Sequence, residues 1–270
     1  SGSGRGCVSF AAAGAATSSM EVSNAVSVFM RLVSHVEAKG AESSAARKPL
    51  ARGAAFAQVR GRERILTSIE DDPPGLVARA VRHLLLLLYR LRGWKAVGEV
   101  PEPRRFIIIA APHTSNWDFV NYLGLTADLG VRPHFMGKLS LFRWPIGGFM
   151  KQMGGVPVDR RHASNVVQQM ADEFARRAEF MLTVAPEGTR GKAKKWRTGF
   201  YQIAMAAKVP MVVGLMDYGS KTGGLGPLIW PTGDFRADMM KVFDVYKGCI
   251  PKFPERAVRS IDDILGSDEA

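Results

Sequence analysis

From about residue 104 onward, short apolar runs alternate with amphipathic segments, and this alternation constrains the fold more than any other feature. The apolar runs are Phe106–Ala111, His134–Met136, Val156–Val158, Phe180–Ala185, Met211–Leu215 and Leu228–Trp230. They have strand length and are bounded by turn residues, so they read as strands. Between them, Trp117–Leu129, Ser140–Met153, Ala163–Ala178 and Thr198–Ala207 read as helices. Strands that are apolar at consecutive positions need cover on both faces. The pattern therefore predicts an α/β fold, a mixed central sheet flanked by helices on both faces.

The rest of the chain differs. Residues 1–72 are rich in Ala, Ser, Gly and Arg and contain no Trp or Tyr. They read as a low-complexity, flexible extension, with one short helical stretch in "VSNAVSVFMRLVSHVEA". Their Arg- and Ser-rich, acid-poor start also fits an organelle-targeting segment. "EDDPPG" then punctuates the sequence before "LVARAVRHLLLLLYRLRGW". Residues 73–97 read as a cationic helix whose polar positions are Arg79, Arg82, His83, Arg90 and Arg92, with no acid among them. Two readings stay open for it: an interfacial helix on an anionic membrane, or a helix packed on the domain with its arginines in water. Residues 98–270 form the remaining domain.

The formal net charge is +12. Residues 1–74 hold nine Lys/Arg and seven acids, a net +2, which leaves +10 for the rest. The basic excess belongs to the folded part and asks for an anionic partner: a membrane surface, a phosphorylated substrate or a nucleic acid. Cys7 and Cys249 are far apart and lack metal-ligand spacing, so neither a disulfide framework nor a metal site is expected, and a reducing compartment fits. The longest apolar run, "LLLLLY" from Leu84 to Tyr89, is far short of the ~20 residues of a spanning helix. The expectation is peripheral or monotopic attachment at the cytoplasmic face, without a transmembrane span.

Three segments carry candidate chemistry. In "IIIAAPHTSNWD" an apolar strand runs into Pro112, and Thr114, Ser115 or Asn116 can cap the helix that follows. His113 and Asp118 are five residues apart, which in a continuous helix puts them about 140° apart. A loop-to-helix path lets them meet instead. A carboxylate on one imidazole nitrogen fixes the tautomer and frees the other nitrogen to take a proton. The bland alternative is a loop His beside an Asp that merely favours a helix N-terminus. In "TVAPEGTRGKAKKW" a second strand exits into a Pro and a Gly, ahead of Arg190, Lys192, Lys194, Lys195 and Arg197. Exposed amides and a basic cluster suit a phosphate, and Glu187 there can orient an arginine or bond a substrate hydroxyl. A solvated basic loop anchored by Trp196 is the alternative. In "GGVPVDRR" a strand-end arginine offers a phosphate fork, or a surface ion pair with Asp159. The chain has no G-x-S-x-G elbow, no G-x-x-x-x-G-K-[ST] loop and no G-x-G-x-x-G, and Ser115 reads as a cap rather than a nucleophile.

Together these segments resemble the glycerolipid acyltransferase family, which contains the 1-acylglycerol-3-phosphate acyltransferases. "HTSNWD" matches its H-x-x-x-x-D block, "GGVPVDR" its G-x-x-x-x-x-R block, "PEGTR" its E-G-T-R block and "VPMVVGL" its Pro-containing strand block around Pro210. "MGKLSLFRWPIGGFM" resembles the family's K-x-x-L-F-x-x-P-x-x-G segment through Lys138, Leu141, Phe142, Pro145 and Gly148. The likeness covers roughly residues 75–235. It implies a glycerol-phosphate-acyltransferase-like fold with His113 as general base and Asp118 as its orienting partner. It further implies that Glu187, Gly188, Thr189 and Arg190 bind the glycerol-phosphate part of an acceptor, joined by Arg160 and Lys138. The implied donor is an acyl thioester, acyl-CoA or acyl carrier protein, used as co-substrate without a cofactor. A thioester is already activated, which agrees with the missing serine elbow.

Two departures stand out. Pro157 takes the place of a frequent aromatic in the second block, and "GLMDYGSKTGGLGPLIWPTGDF" resembles a compact bacterial-type branch with poorly assigned substrates. The resulting expectation is acyl transfer to the hydroxyl of a lysophospholipid, 1-acylglycerol-3-phosphate foremost, at an anionic membrane surface. The alternatives are O-acylation of another lipid acceptor, such as an amino-acid-derived one, and a non-catalytic anion- or nucleic-acid-binding module. The last explains the charge but not the His–Asp pair, so nucleic acid is not an expected partner.

Overall fold

The computed structural model describes residues 75–144, 146–158, 163–193 and 195–266. The extension expected over residues 1–72 lies outside them. Helix α1 (Leu76–Leu91) leads into strand β1 (Lys95–Val97), and β2 (Arg105–Ala110) is followed by α2 (Trp117–Asp128). Strand β3 (His134–Lys138), a 3₁₀ turn (Leu139–Phe142) and α3 (Gly147–Gln152) precede β4 (Gly155–Val158) and α4 (Ala163–Arg176). Next come β5 (Phe180–Val184), α5 (Gly199–Ala207), β6 (Met211–Asp217) and β7 (Thr222–Ile229). Helix α6 (Phe235–Tyr246), a 3₁₀ turn (Pro254–Arg256) and α7 (Ile261–Leu265) complete the order.

Seven strands form one sheet in the order β1-β7-β6-β2-β5-β3-β4. All neighbours pair in parallel except β6 and β7, which are antiparallel. The mixed sheet with helices is the expected architecture. Strand β2 shows why its sequence is apolar throughout: Ile107 and Ile109 join one buried cluster, with Phe174, Phe200 and Met239 of α4, α5 and α6, while Phe106 and Ile108 join another. Strand side chains alternate between faces, so a sheet with two covered faces has no polar position to offer. Fully burying one such side chain contributes about 1.5–3 kcal/mol.

Two expectations change. The single helix over Ser140–Met153 is a 3₁₀ turn followed by a shorter helix at Gly147. The break falls at Arg143, which ends the 3₁₀ turn with an extended backbone (φ −89°, ψ 156°), and a proline two residues further along the sequence disfavours one continuous helix. The strand expected at Leu228–Trp230 begins much earlier, at Thr222, and ends at Ile229. Four residues in its first five positions are Thr or Gly, which hides it from a reading based on apolar runs.

Helix α1 packs on the domain. Ala78, Leu85, Leu88 and Tyr89 are buried, and the Tyr89 hydroxyl donates to Asp128 at 2.8 Å. The contact depends on Gly124 of α2, where a Cβ would lie 2.1 Å from the Tyr89 ring. Its other face leaves Leu76, Val77, Leu87 and Leu91 exposed beside the exposed Arg79 and Arg90. Among the described residues, no helix is long and apolar enough to cross a membrane.

Candidate active site

Three parallel strands deliver the site to one edge of the sheet. Ile109 of β2 pairs with Val184 of β5, and Ala110 pairs with Gly214 of β6. The residues just past these pairs therefore emerge side by side: His113 after β2, Glu187 after β5 and Tyr218 after β6. Such carboxyl-terminal strand edges are where open α/β sheets hold ligands.

His113 sits in the loop between β2 and α2, and Asp118 sits in the first turn of α2. The bend brings them together. His113 Nδ1 lies 3.1 Å from Asp118 Oδ2, with the His side chain 21% exposed and the Asp 7%. The same oxygen accepts the backbone N–H groups of Thr114 at 3.0 Å and Ser115 at 2.9 Å. Asp118 thus holds the shape of the loop as well as the imidazole. As a carboxylate it only accepts, so Nδ1 carries the hydrogen, and in the neutral ring Nε2 is the nitrogen with the lone pair. Among the described residues nothing bonds Nε2. Ser115 accepts the Trp117 N–H on its hydroxyl at 3.1 Å, whereas the N-cap itself is Asn116 and makes no side-chain cap bond.

The other carboxylate oxygen is held by a residue that the sequence reading missed. The Tyr218 hydroxyl donates to Asp118 Oδ1 at 2.5 Å across 100 positions of sequence. Asn121 Nδ2 in turn donates to the Tyr218 oxygen at 3.1 Å, and Trp94 packs edge-on against the Tyr218 ring, 4.9 Å between centroids. Burial and the neighbouring Asp118 charge push the phenol pKa up, which keeps it a donor. The signal was the "MDYG" that follows the fourth block. It carries meaning only once β6 is known to run on to Asp217.

Glu187 is 4% exposed and turns towards the His113 loop rather than towards an arginine. Its Oε2 accepts the His113 backbone N–H at 3.0 Å, and its Oε1 is buried with no partner among the described residues. Burial first, then the Asp118 charge, pushes its carboxyl up to about 8, against the opposing pull of the His113 N–H. Gly188 supplies the turn beyond it with φ of +64°, a left-handed backbone that favours glycine. Thr189 is exposed, and its hydroxyl accepts the Gly191 N–H at 3.2 Å. Arg190 lies half-buried in this loop. The loop is anchored by Trp196, which is 2% exposed, stacks on Tyr246 at 5.9 Å and donates its backbone N–H to Ile264 at 3.0 Å.

Lys138 ends β3, the parallel neighbour of β5, and is half-buried at the same sheet edge. Arg160, two residues past β4, lies outside the described residues. The structure thus brings His113, Asp118 and Glu187 into direct contact and sets Gly188, Thr189, Arg190 and Lys138 around the adjoining strand ends. Among the described residues, no group of three or more His, Cys, Asp or Glu is arranged to hold a metal ion. Chemically, the cluster is an imidazole with one nitrogen fixed by a carboxylate and the other open, which is the arrangement of a general base.

The family model described as Acyltransferase matches residues 96–214. That span runs from β1 through His113, Asp118, Lys138 and Glu187 to Gly214 of β6. Among solved structures, the chain is similar to the 1-acyl-sn-glycerophosphate (LPA) acyltransferase PlsC from Thermotoga maritima, at 16% identity and a TM-score of 0.45, covering 84% of this chain and 90% of that one. A search of curated proteins finds no match. The part of the chain that is similar to the acyltransferase family model is thus the stretch that carries His113, Asp118, Lys138 and Glu187.

Proposed function

We propose that the protein moves a fatty acyl group from an acyl thioester, acyl-CoA or acyl carrier protein, to the hydroxyl of a lysophospholipid, 1-acylglycerol-3-phosphate foremost. The observation that carries this reading is the open Nε2 of His113 with Nδ1 held by Asp118 at 3.1 Å. The acceptor hydroxyl gives its proton to Nε2 as its oxygen attacks the thioester carbonyl. The tetrahedral intermediate collapses, the carbon–sulfur bond breaks, and the imidazolium returns the proton to the departing thiolate. Asp118 stabilises the imidazolium between these two steps. Positioned acid–base catalysis of this kind contributes typically ~10²–10⁴-fold. Arg190 and Lys138, on the β5 side of His113, receive the acceptor's phosphate, and Arg160 is assigned to the same group.

The same reading places the protein on an anionic membrane surface. The exposed Leu76, Val77, Leu87 and Leu91 of α1, beside Arg79 and Arg90, fit a helix lying in the interface. The experiment is a panel of lysolipid acceptors with labelled acyl-CoA, read by product mass spectrometry. Acylated 1-acylglycerol-3-phosphate is the expected major product. Acylation of a different lipid alone would reassign the acceptor, and no acylated lipid from any acceptor or donor would overturn the reading.

A further inference from the structure

A second cationic site lies on the other flank of His113, where two chain segments outside the motif blocks meet Trp117 of the "HTSNWD" block. Trp117 is the first residue of α2, next to Asp118. The Arg92 guanidinium, just past the end of α1, lies over its ring at 4.5 Å from the centroid, and the Lys252 ammonium lies over the same ring at 5.1 Å. Both side chains are half-buried. Neither makes an ion pair or a side-chain hydrogen bond among the described residues, and Arg92 Nε is buried without a partner.

The site is held rigidly from the β6 side. Tyr218 donates its N–H to the Ile250 carbonyl at 2.8 Å, and the Ile250 N–H returns to Asp217 at 2.8 Å. The Phe253 N–H donates to the Thr114 hydroxyl at 3.3 Å, inside the His113 loop. Lys252 is therefore fixed between the exit of β6 and the base. Its ammonium pKa is pushed down by burial and by Arg92, with Asp118 pulling the other way. A cation over an indole is attracted by the negative face of the ring, but two cations on one ring repel each other. That arrangement is relieved by an anion placed between them.

We infer that Arg92 and Lys252, carried on Trp117, form a phosphate-binding fork beside the His113–Asp118 pair, separate from the basic loop after β5. Arginine supplies planar, paired donors to phosphate oxygens and lysine a point charge. The sheet order puts the fork on the β6 side of His113 and the Arg190 loop on the β5 side. Transfer between a coenzyme A thioester and a phosphorylated acceptor brings two phosphate-bearing molecules to one base, and the two flanks give each a separate seat. The identity of the molecule in the fork rests on the proposed transfer reaction. The fork itself does not, because it binds without turnover.

The test is calorimetric binding of coenzyme A and of glycerol 3-phosphate to the full chain at fixed ionic strength, with pantetheine and glycerol as phosphate-free controls. Arg92→Gln and Lys252→Gln are each expected to weaken one phosphorylated probe about tenfold and to leave its control unchanged. Loss confined to coenzyme A assigns the fork to the donor, and loss confined to glycerol 3-phosphate assigns it to the acceptor. Arg92→Lys and Lys252→Arg, which keep the charge, should retain most of the binding. In the wild-type chain the Trp117 indole N–H resonance should shift on saturation with the same probe, a readout that needs no variant. Unchanged affinity in the Gln variants, equal losses for probe and control, or an unmoved Trp117 resonance would overturn the fork. Acyl transfer by the wild-type chain tests the reaction separately, so either idea can fail alone.

Discussion

Glu187 accepts a hydrogen bond from the backbone N–H of His113 at 3.0 Å, across 74 positions of sequence. Two strand exits, "APH" after β2 and "APE" after β5, are thereby joined. The acid of "PEGTR" supports the loop that carries His113. Replacing it with Gln keeps a carbonyl oxygen for the His113 N–H, whereas Ala removes it. Glu187→Gln is therefore expected to retain much more activity than Glu187→Ala, the latter losing about tenfold or more in kcat. Equal activities in the two variants would show that this bond does not position His113.

The same carboxyl makes stability depend on pH. Its pKa is raised from the ordinary 4.5 to about 8, mainly by burial, so the folded chain holds a proton that the unfolded chain releases. The stabilisation from this group is complete below pH 4.5 and is lost as pH rises through 8. Thermal unfolding of the wild type at pH 5.5 and 8.5 should show a larger fall in Tm than that of Glu187→Gln, whose side chain stays neutral. Parallel pH profiles for the two chains would contradict the buried, protonated Glu187.

Tyr218 is a positioning residue, acting on substrate only through Asp118. Tyr218→Phe keeps the ring against Trp94 and removes only the hydroxyl, so the cost in stability is about 1 kcal/mol. The expected kinetic effect is a roughly tenfold fall in kcat with KM within about twofold, because a looser Asp118 orients the imidazole less well. A change in KM alone would place Tyr218 in substrate binding instead.

The site was half legible in the sequence, for physical reasons. His113 and Asp118 could be paired because proline ends a strand and an acid favours the next helix start, both local rules. Tyr218, Arg92 and Lys252 obey no local rule. Tyr218 reaches Asp118 because β6 runs alongside β2, and Arg92 and Lys252 reach Trp117 because the end of α1 and the loop after α6 close over the same edge. Strand β1, only three residues long, and the Gly-rich first half of β7 escaped notice for the same reason: their place in the sheet comes from partners, not from their own apolar pattern. The α1 helix showed a different limit. Its leucines were visible, but not which of them face α2.

That division of faces shapes the membrane test. Deleting α1 would remove the buried Leu85, Leu88 and Tyr89 and so damage the core. Leu87 and Leu91 are 49% and 63% exposed, and Leu87→Ser with Leu91→Ser leaves the packed face intact. The double variant is expected to weaken sedimentation with anionic vesicles severalfold while Tm changes little. Undiminished sedimentation would remove α1 from the membrane contact.

The most direct measurement is the rate of acyl transfer by His113→Ala, using the acceptor and donor that the wild type prefers. The side chain is 21% exposed and contributes little to the core, so the variant should unfold at close to the wild-type temperature. With the base gone, kcat is expected to fall by about 10³-fold or more. A folded His113→Ala protein that still turns over at the wild-type rate would contradict the account at its centre.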